Sequence, residues 1–289
     1  MKLLETLRIR TSAAIRRQKA RLGLGDRPAR LDLRLDGFDA PLPVTGESLR
    51  LEQWHERIVE LLQWAGSVPV RVIAEADHPL LPEVIRFCHR LEMPVTVRTG
   101  PRGLTMARAE EWVDRGMAAC ELVSDLDESG EAAVRALVHA RHSRAVQFTV
   151  VIHASPGGKL LSGVFTAARD LGADGVVIAA PWQGVALSPP ARAELDAALK
   201  EGWPLQQTSK VARTALDRLA PGGPGAPRGQ GSCALGGLRL ALAPDGAAFA
   251  CPFKTGSTLG PLAESGEALA DHRALIRRCD RVCGHPELV

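Results

Sequence analysis

Leu31-Asp32-Leu33-Arg34-Leu35-Asp36 alternates leucine with a charged residue at a period of two, and reading it as a strand decides the fold. Its polar side suits a sheet edge or a wet interior. Working outward, further short β-rich runs fall at 68–74, 94–99, 121–124, 146–153 and 175–180, with amphipathic stretches between them at 48–65, 82–92, 105–116, 129–142 and 159–171. Strands separated by helices cannot be joined as hairpins. They imply parallel pairing through right-handed crossovers, and hence an α/β barrel or a doubly wound sheet.

Upstream of that run, residues 3–22 intersperse Leu3, Leu4, Leu7, Ile9 and Ile15 with Arg8, Arg10, Arg16, Arg17, Lys19 and Arg21. The pattern predicts an amphipathic basic helix, packed on the main domain or docked on an acidic partner. Across all 289 residues, 36 Lys and Arg against 33 Asp and Glu leave a net charge of only +3, which makes nucleic acid an unexpected partner. Charges interrupt every apolar stretch, so neither a membrane span nor a secretory segment is expected, and the chain reads as cytoplasmic. A reducing cytosol keeps thiols free, so the six cysteines are not expected to form a disulfide framework.

Downstream, Ser188-Pro189-Pro190 opens another helix, and residues 221–231 follow, of which eight are Gly or Pro. That segment has almost nothing to bury and reads as a linker. Leu238, Leu240 and Leu242 then alternate toward Pro244-Asp245-Gly246, a turn that returns the chain as a hairpin, and residues 262–278 read as a helix.

Four of the six cysteines flank these elements. Cys233 and Cys251 bracket the hairpin, with Gly246 between them, and Cys279 and Cys283 close the tail helix with three residues between them. Four soft thiolates converging from different segments match a cubane iron–sulfur cluster or a structural zinc. Zinc sites take their ligands as two close pairs, and only Cys279 and Cys283 have that spacing, so the arrangement favours iron–sulfur with zinc as the alternative. His272 and His285 read as helix-end residues.

The stretch from Cys233 through Gly246 to Cys251-Pro252 resembles the opening of the SPASM and twitch domains that follow radical S-adenosylmethionine barrels. Thr258-Leu259-Gly260-Pro261-Leu262 resembles the step that comes next there, and Cys279 to Cys283 the closing cysteines. Residues 82–99 and 120–127 are similar to the second helix, third strand and fourth strand of the radical barrel. The resemblance implies a partial TIM-type barrel of about six parallel strands, followed by a small hairpin-plus-helix module holding one auxiliary [4Fe-4S] cluster on Cys233, Cys251, Cys279 and Cys283. The domain organisation expected from it is a basic helix over 1–28, the barrel over 29–205, a helix and Pro/Gly-rich linker over 206–230, and the iron–sulfur module over 231–289. The linker is expected to separate two cores, so that loss of Cys251 would spare the barrel.

The departures from that family are equally informative. Its catalytic cluster sits on a C-x3-C-x2-C loop directly after the first strand, and here residues 36–46 contain no cysteine. Its Gly-Gly-Glu-Pro segment after the second strand is replaced by Glu75-Ala76-Asp77-His78-Pro79. Cys88 inside a helix and Cys120 at the start of a strand read as buried small residues, not ligands. S-adenosylmethionine is therefore not an expected cofactor. At the strand ends remain Asp36, Asp77, His78, Arg98, Ser124, Asp125, His153 and Trp182, of which Asp77, His78 and His153 are the catalytic candidates for acid–base work, against a reading in which these groups merely solvate a vacant mouth. His89, His139 and His142 read as surface residues. What the resemblance implies overall is an accessory protein that pairs with an active radical maturase and its peptide, recognising the peptide or relaying an electron. The alternative is a non-radical enzyme with a structural iron–sulfur or zinc site.

Overall fold

The computed structural model describes residues 30–38, 46–154, 161–178 and 239–249. Among the described residues are the strands β1 (Arg30–Arg34), β2 (Val70–Ile73), β3 (Val95–Thr99), β4 (Met117–Val123), β5 (Thr149–Ala154), β6 (Gly175–Ile178), β7 (Arg239–Leu242) and β8 (Ala248–Phe249). The helices are α1 (Leu51–Ala65), α2 (Leu81–Arg90), α3 (Met106–Asp114), α4 (Glu128–Ser143) and α5 (Leu161–Asp170). The strands are mostly parallel and the first six alternate with helices, as the sequence periodicity requires.

The helices start where side chains can satisfy the orphan N–H groups of a first turn. Thr105 accepts from the Arg108 N–H at the start of α3, and Asp127 accepts from the Gly130 N–H at the start of α4. At α1 the Gln53 side chain reaches back to the Arg50 N–H. Three of the boundaries that differ from the sequence reading have a visible local cause. The chain stops α2 at Arg90 because Glu92 turns through φ 57. The fourth strand begins at Met117, well before 121, since Ala118 and Ala119 contribute no hydrophobic alternation to read. Consequently Cys120 lies in the middle of β4, not at its start. The fifth strand begins only at Thr149, because Ala145 turns through φ 50 and Val146 is exposed.

The chain divides into two compact units. In the first, the strands lie in the order β2-β1-β7-β8. Here β1 runs parallel to β2, with Leu31 opposite Val70 and Asp32 opposite Arg71, and parallel to β7, with Arg30 opposite Arg239 and Leu33 opposite Leu242. The hairpin β7–β8 is antiparallel. A strand with partners on both sides is no sheet edge, so that option for the alternating run is overturned; its charged residues are instead buried. The hairpin also stands differently from the separate core expected beyond the linker, because its first strand hydrogen-bonds along β1.

Leu31, Leu33, Leu35, Val70 and Val72 make the apolar side of this first unit, and α1 packs on α2 with the His55 ring stacked on Phe87 at 3.9 Å. In the second unit β3, β4, β5 and β6 are neighbours in that order, with β4, β5 and β6 parallel. Its core holds Cys120, Leu122, Val150, Ile152 and Val176 from the strands, with Trp112, Val134 and Leu137 from α3 and α4.

Candidate functional site

Period-two geometry puts Asp32, Arg34 and Arg71 on the side of the first unit opposite its leucines. All three are buried, at 0%, 2% and 4% exposure, which is affordable only because the charges are paired. Arg71 grips Asp32 with two parallel hydrogen bonds, Nη2 to Oδ2 at 2.6 Å and Nε to Oδ1 at 3.1 Å. Arg30 adds a contact to the same carboxylate at 3.4 Å. On the polar side of the alternating run lies this one fork-shaped ion pair, flanked by Arg30.

The chain beyond β1 is closed by its own side chains. Asp36 Oδ1 accepts from the Phe38 N–H at 2.8 Å, and Arg34 Nη1 donates to the Phe38 carbonyl at 3.3 Å. After β2, the His78 Nδ1 accepts from the Leu80 N–H at 3.3 Å and so helps turn the chain into α2. Asp77 is exposed and, among the described residues, makes no hydrogen bond or ion pair.

In the second unit Arg98 on β3 pairs with Glu121 on β4, Nη1 to Oε2 at 3.1 Å, both side chains largely buried. Ser124, just past β4, accepts the Leu126 N–H at 3.0 Å and packs against Gly130 of α4. Asp125 is half-buried beside it. His153 takes a register position on β5 opposite Val123. Trp182 lies outside the described residues.

Half of the eight anticipated strand-end groups therefore have structural work: Asp36, His78, Arg98 and Ser124 close turns or neutralise a neighbour, while Asp77 is uncommitted among the described residues. His89, His139 and His142 are exposed, as expected of surface residues. Sequence reasoning missed Arg71, Glu121 and Thr99. The first two could have been found as charges set between apolar residues, Arg71 between Val70 and Val72 and Glu121 between Cys120 and Leu122, where a buried partner is obligatory. Thr99 is fully buried at the end of β3, and among the described residues its hydroxyl has no hydrogen-bond partner.

Cys88 and Cys120 are both fully buried, inside α2 and β4 respectively. Burial pushes the Cys88 thiol up to about 12 from 9.0, and burial with the neighbouring Glu121 charge pushes Cys120 up as well. Both thiols are therefore held in the protonated, unreactive form near neutral pH. Among the described residues no group of three or more His, Cys, Asp or Glu side chains is arranged to hold a metal.

Cys233, Cys251, Cys279 and Cys283 lie outside the described residues. The chain enters β7 at Arg239, six residues after Cys233, and leaves β8 at Phe249, two residues before Cys251. Antiparallel pairing sets Ala241 beside Phe249.

No helix among the described residues is long and apolar enough to cross a membrane. No protein-family model matches the sequence, and no curated protein matches it. Among solved structures the chain is similar in fold to SuiB of Streptococcus suis. Against SuiB bound to its precursor peptide SuiA the TM-score is 0.57 at 12% identity, covering 96% of this chain and 76% of that one. Against SuiB bound to S-adenosylmethionine it is 0.54 at 12% identity, covering 86% of this chain; the match spans 63% of the SuiB chain. At such identity the likeness is one of fold.

Proposed function

We propose that this chain is a radical S-adenosylmethionine-like accessory protein that generates no radical itself, carries one auxiliary [4Fe-4S] cluster on Cys233, Cys251, Cys279 and Cys283, and works in the cytoplasm beside a radical maturase on a peptide. Its barrel would be partial, of TIM type, and its tail a SPASM-like module. The observation that carries the reading is the segment after β1. Residues 36–46 hold no cysteine, and the start of the segment is tied into a turn by Asp36 and Arg34 acting on Phe38. In the family the chain resembles, the catalytic cubane takes three thiolates from that segment, and Cys88 and Cys120, buried singly inside α2 and β4, do not supply such a set.

Fold similarity to a protein solved with a precursor peptide supports a peptide as the partner molecule. The same protein was also solved with S-adenosylmethionine, which makes binding of that cofactor the outcome to test against. When bound, the auxiliary cluster would supply a one-electron relay and a fixed anchor for the tail.

Anaerobic purification followed by metal and sulfide analysis is the first experiment. The expected result is about four irons and four sulfides per chain with a broad absorbance near ~400 nm, and no 5′-deoxyadenosine when reductant and S-adenosylmethionine are added to the chain alone. A zinc-loaded protein would make the tail a zinc-stabilised binding module, and release of 5′-deoxyadenosine would overturn the accessory role. Failure to co-purify with any radical maturase would remove the partner. The second reading, a non-radical enzyme, has one observation in its favour, the uncommitted carboxylate of Asp77. It requires that Asp77→Ala abolish a turnover while leaving the metal content unchanged.

A further inference from the structure

The chain has three Asp-Gly junctions, all among the described residues: Asp36-Gly37 just past β1, Asp174-Gly175 at the start of β6, and Asp245-Gly246 in the hairpin turn. Such a junction has a reaction of its own. The glycine nitrogen, with no side chain beside it, attacks the aspartate Cγ. The new N–Cγ bond closes a five-membered succinimide, and a carboxyl oxygen leaves as water. Water then adds back. Where it opens the ring at the main-chain carbonyl, the original peptide C–N bond breaks and the chain continues through Cβ and Cγ as isoaspartate. Nothing is oxidised or reduced, and the mass is unchanged. The step needs a glycine nitrogen that can swing onto Cγ, so the fold decides which junction reacts.

At two of the three the glycine is held. Gly175 is buried in β6 opposite Val151, and Asp174 Oδ2 accepts from both Arg141 Nη1 and the Val150 N–H at 2.8 Å. Gly246 sits at φ 82, its N–H donates to the Ala243 carbonyl at 2.9 Å, and a Cβ placed on it would lie 3.0 Å from the Leu49 Cδ1. Gly37 differs on every count. It is exposed, its φ lies outside the left-handed region, and a Cβ placed on it would meet nothing within 4 Å. The side chains of the two turn aspartates do not make the difference. Asp36 Oδ1 accepts from the Phe38 N–H at 2.8 Å and Asp245 Oδ1 from the Ala247 N–H at 3.1 Å, the same two-residue turn folding each carboxylate back along its own main chain.

We propose that Asp36-Gly37 is a site of spontaneous isoaspartate formation in the folded protein, and that the change undoes the turn after β1. The reaction requires only water and is independent of any metal or partner. Isoaspartate lengthens the main chain by one methylene, so the Phe38 N–H and carbonyl are carried away from their present partners, Asp36 and Arg34. Arg34 is buried on β1, so the modification reaches from an exposed glycine to the charged face of that strand.

Prolonged incubation of the full chain at neutral pH, folded and in urea, followed by peptide mapping, tests this. Trypsin cuts after Arg34, Arg50, Arg169, Arg192, Arg239 and Lys254, and so delivers the three junctions on separate peptides. The isomer elutes apart from its parent at equal mass and resists a protease that cleaves before aspartate. In the folded protein it should accumulate at 36 several-fold faster than at 174 or 245, and in urea the three rates should converge. Gly37→Ala, for which the structure has both the space and the backbone angle, should keep the fold and slow the isomer at 36 several-fold. The aged unaltered protein, unlike aged Gly37→Ala, should contain a fraction that unfolds at lower urea in proportion to its isomer content. Equal rates at the three junctions in the folded protein, an isomer at 36 that forms only in urea, or a Gly37→Ala chain that isomerises as fast as the unaltered one would each overturn the site. An isomerised fraction that unfolds at the unaltered midpoint would overturn its effect on the turn.

Discussion

Arg71 grips Asp32 through both carboxylate oxygens across the β1–β2 pair, in a position where neither side chain reaches solvent. Register places the two residues directly opposite each other, so one strand's charge is answered by its neighbour's.

Removing either partner takes the bidentate pair from a buried charge, and for Asp32 leaves the longer Arg30 contact at 3.4 Å; breaking a buried pair in this way costs up to about 3–5 kcal/mol. That exceeds the ~0–1 kcal/mol of an exposed pair such as Arg135 with Glu131. Asp32→Ala and Arg71→Ala should each lower the urea midpoint steeply. The double variant Asp32→Leu with Arg71→Met, apolar on both sides, should recover most of the loss. Chemical denaturation of the three proteins measures it, and a double variant no more stable than the singles would show that the pair does more than neutralise itself.

The buried thiols have a pH signature. Cys88 holds its proton to about 12 when folded and releases it near 9.0 when unfolded, and Cys120 is shifted in the same direction. Between those values the native state binds more protons than the unfolded one, so the slope of stability against pH is negative. The contribution is complete below about 9 and declines as pH rises toward 12. Replacing Cys88 with Ala should flatten the alkaline limb of the stability curve. In the folded protein an alkylating reagent at neutral pH should leave Cys88 and Cys120 unmodified, and mass spectrometry of tryptic peptides checks this.

Asp127 behaves in the opposite sense. The Gly130 N–H and then the Ser129 hydroxyl donate to its carboxylate at the start of α4, holding its pKa below the usual carboxylate range. A lowered folded pKa stabilises the fold above the unfolded value and loses that contribution as pH falls through the folded one. Acid unfolding of Asp127→Ala should therefore be flatter below about pH 4 than that of the unaltered chain. Asp127→Asn should keep the cap and lose only the pH dependence.

Much of this architecture was legible from periodicity. Leucine at 31, 33 and 35 and valine at 70 and 72 mark one face of two strands, and the intervening amphipathic stretches mark the crossovers. What alternation does not carry is the neighbour of each strand. Arg34 and Asp32 look the same in sequence whether they face water at an edge or an arginine from β2, and only pairing with β2 and β7 distinguishes the two. The strand-end residues show the same limit. His78, Arg98 and Ser124 were singled out as groups able to do chemistry, yet their hydrogen bonds go to Leu80, Glu121 and Leu126. A polar residue at a strand end must satisfy its neighbours first, and the type of side chain does not record whether it has.

Gly130 offers a test of how tightly the chain after β4 seats on α4. A Cβ at that position would fall 2.0 Å from the Ser124 Oγ, so Gly130→Ala must displace a hydroxyl that also accepts the Leu126 N–H. Overpacking of this kind costs about 1–3 kcal/mol. Thermal denaturation should show Gly130→Ala destabilised by that order, and adding Ser124→Ala should restore part of it by opening the space. An additive double variant would mean that the clash is relieved elsewhere.

The tail provides the remaining prediction, and β7 changes its expected reach. A linker between independent cores would confine the loss of Cys251 to residues beyond 231. However, β7 hydrogen-bonds along β1 from Arg239 to Leu242, so a loosened hairpin uncovers the side of β1. Metal-ligand free energy is folding free energy for a segment with so small a core. Cys251→Ala should therefore lose its metal, lower the first thermal transition and raise exchange in β1 itself, whereas Cys88→Ala, whose thiol stays protonated inside α2, should keep its metal in full. Metal analysis and exchange over 30–38 measured on both variants separate the two. Should Cys88→Ala also shed its metal, the assignment of ligands to the tail would have to be redrawn.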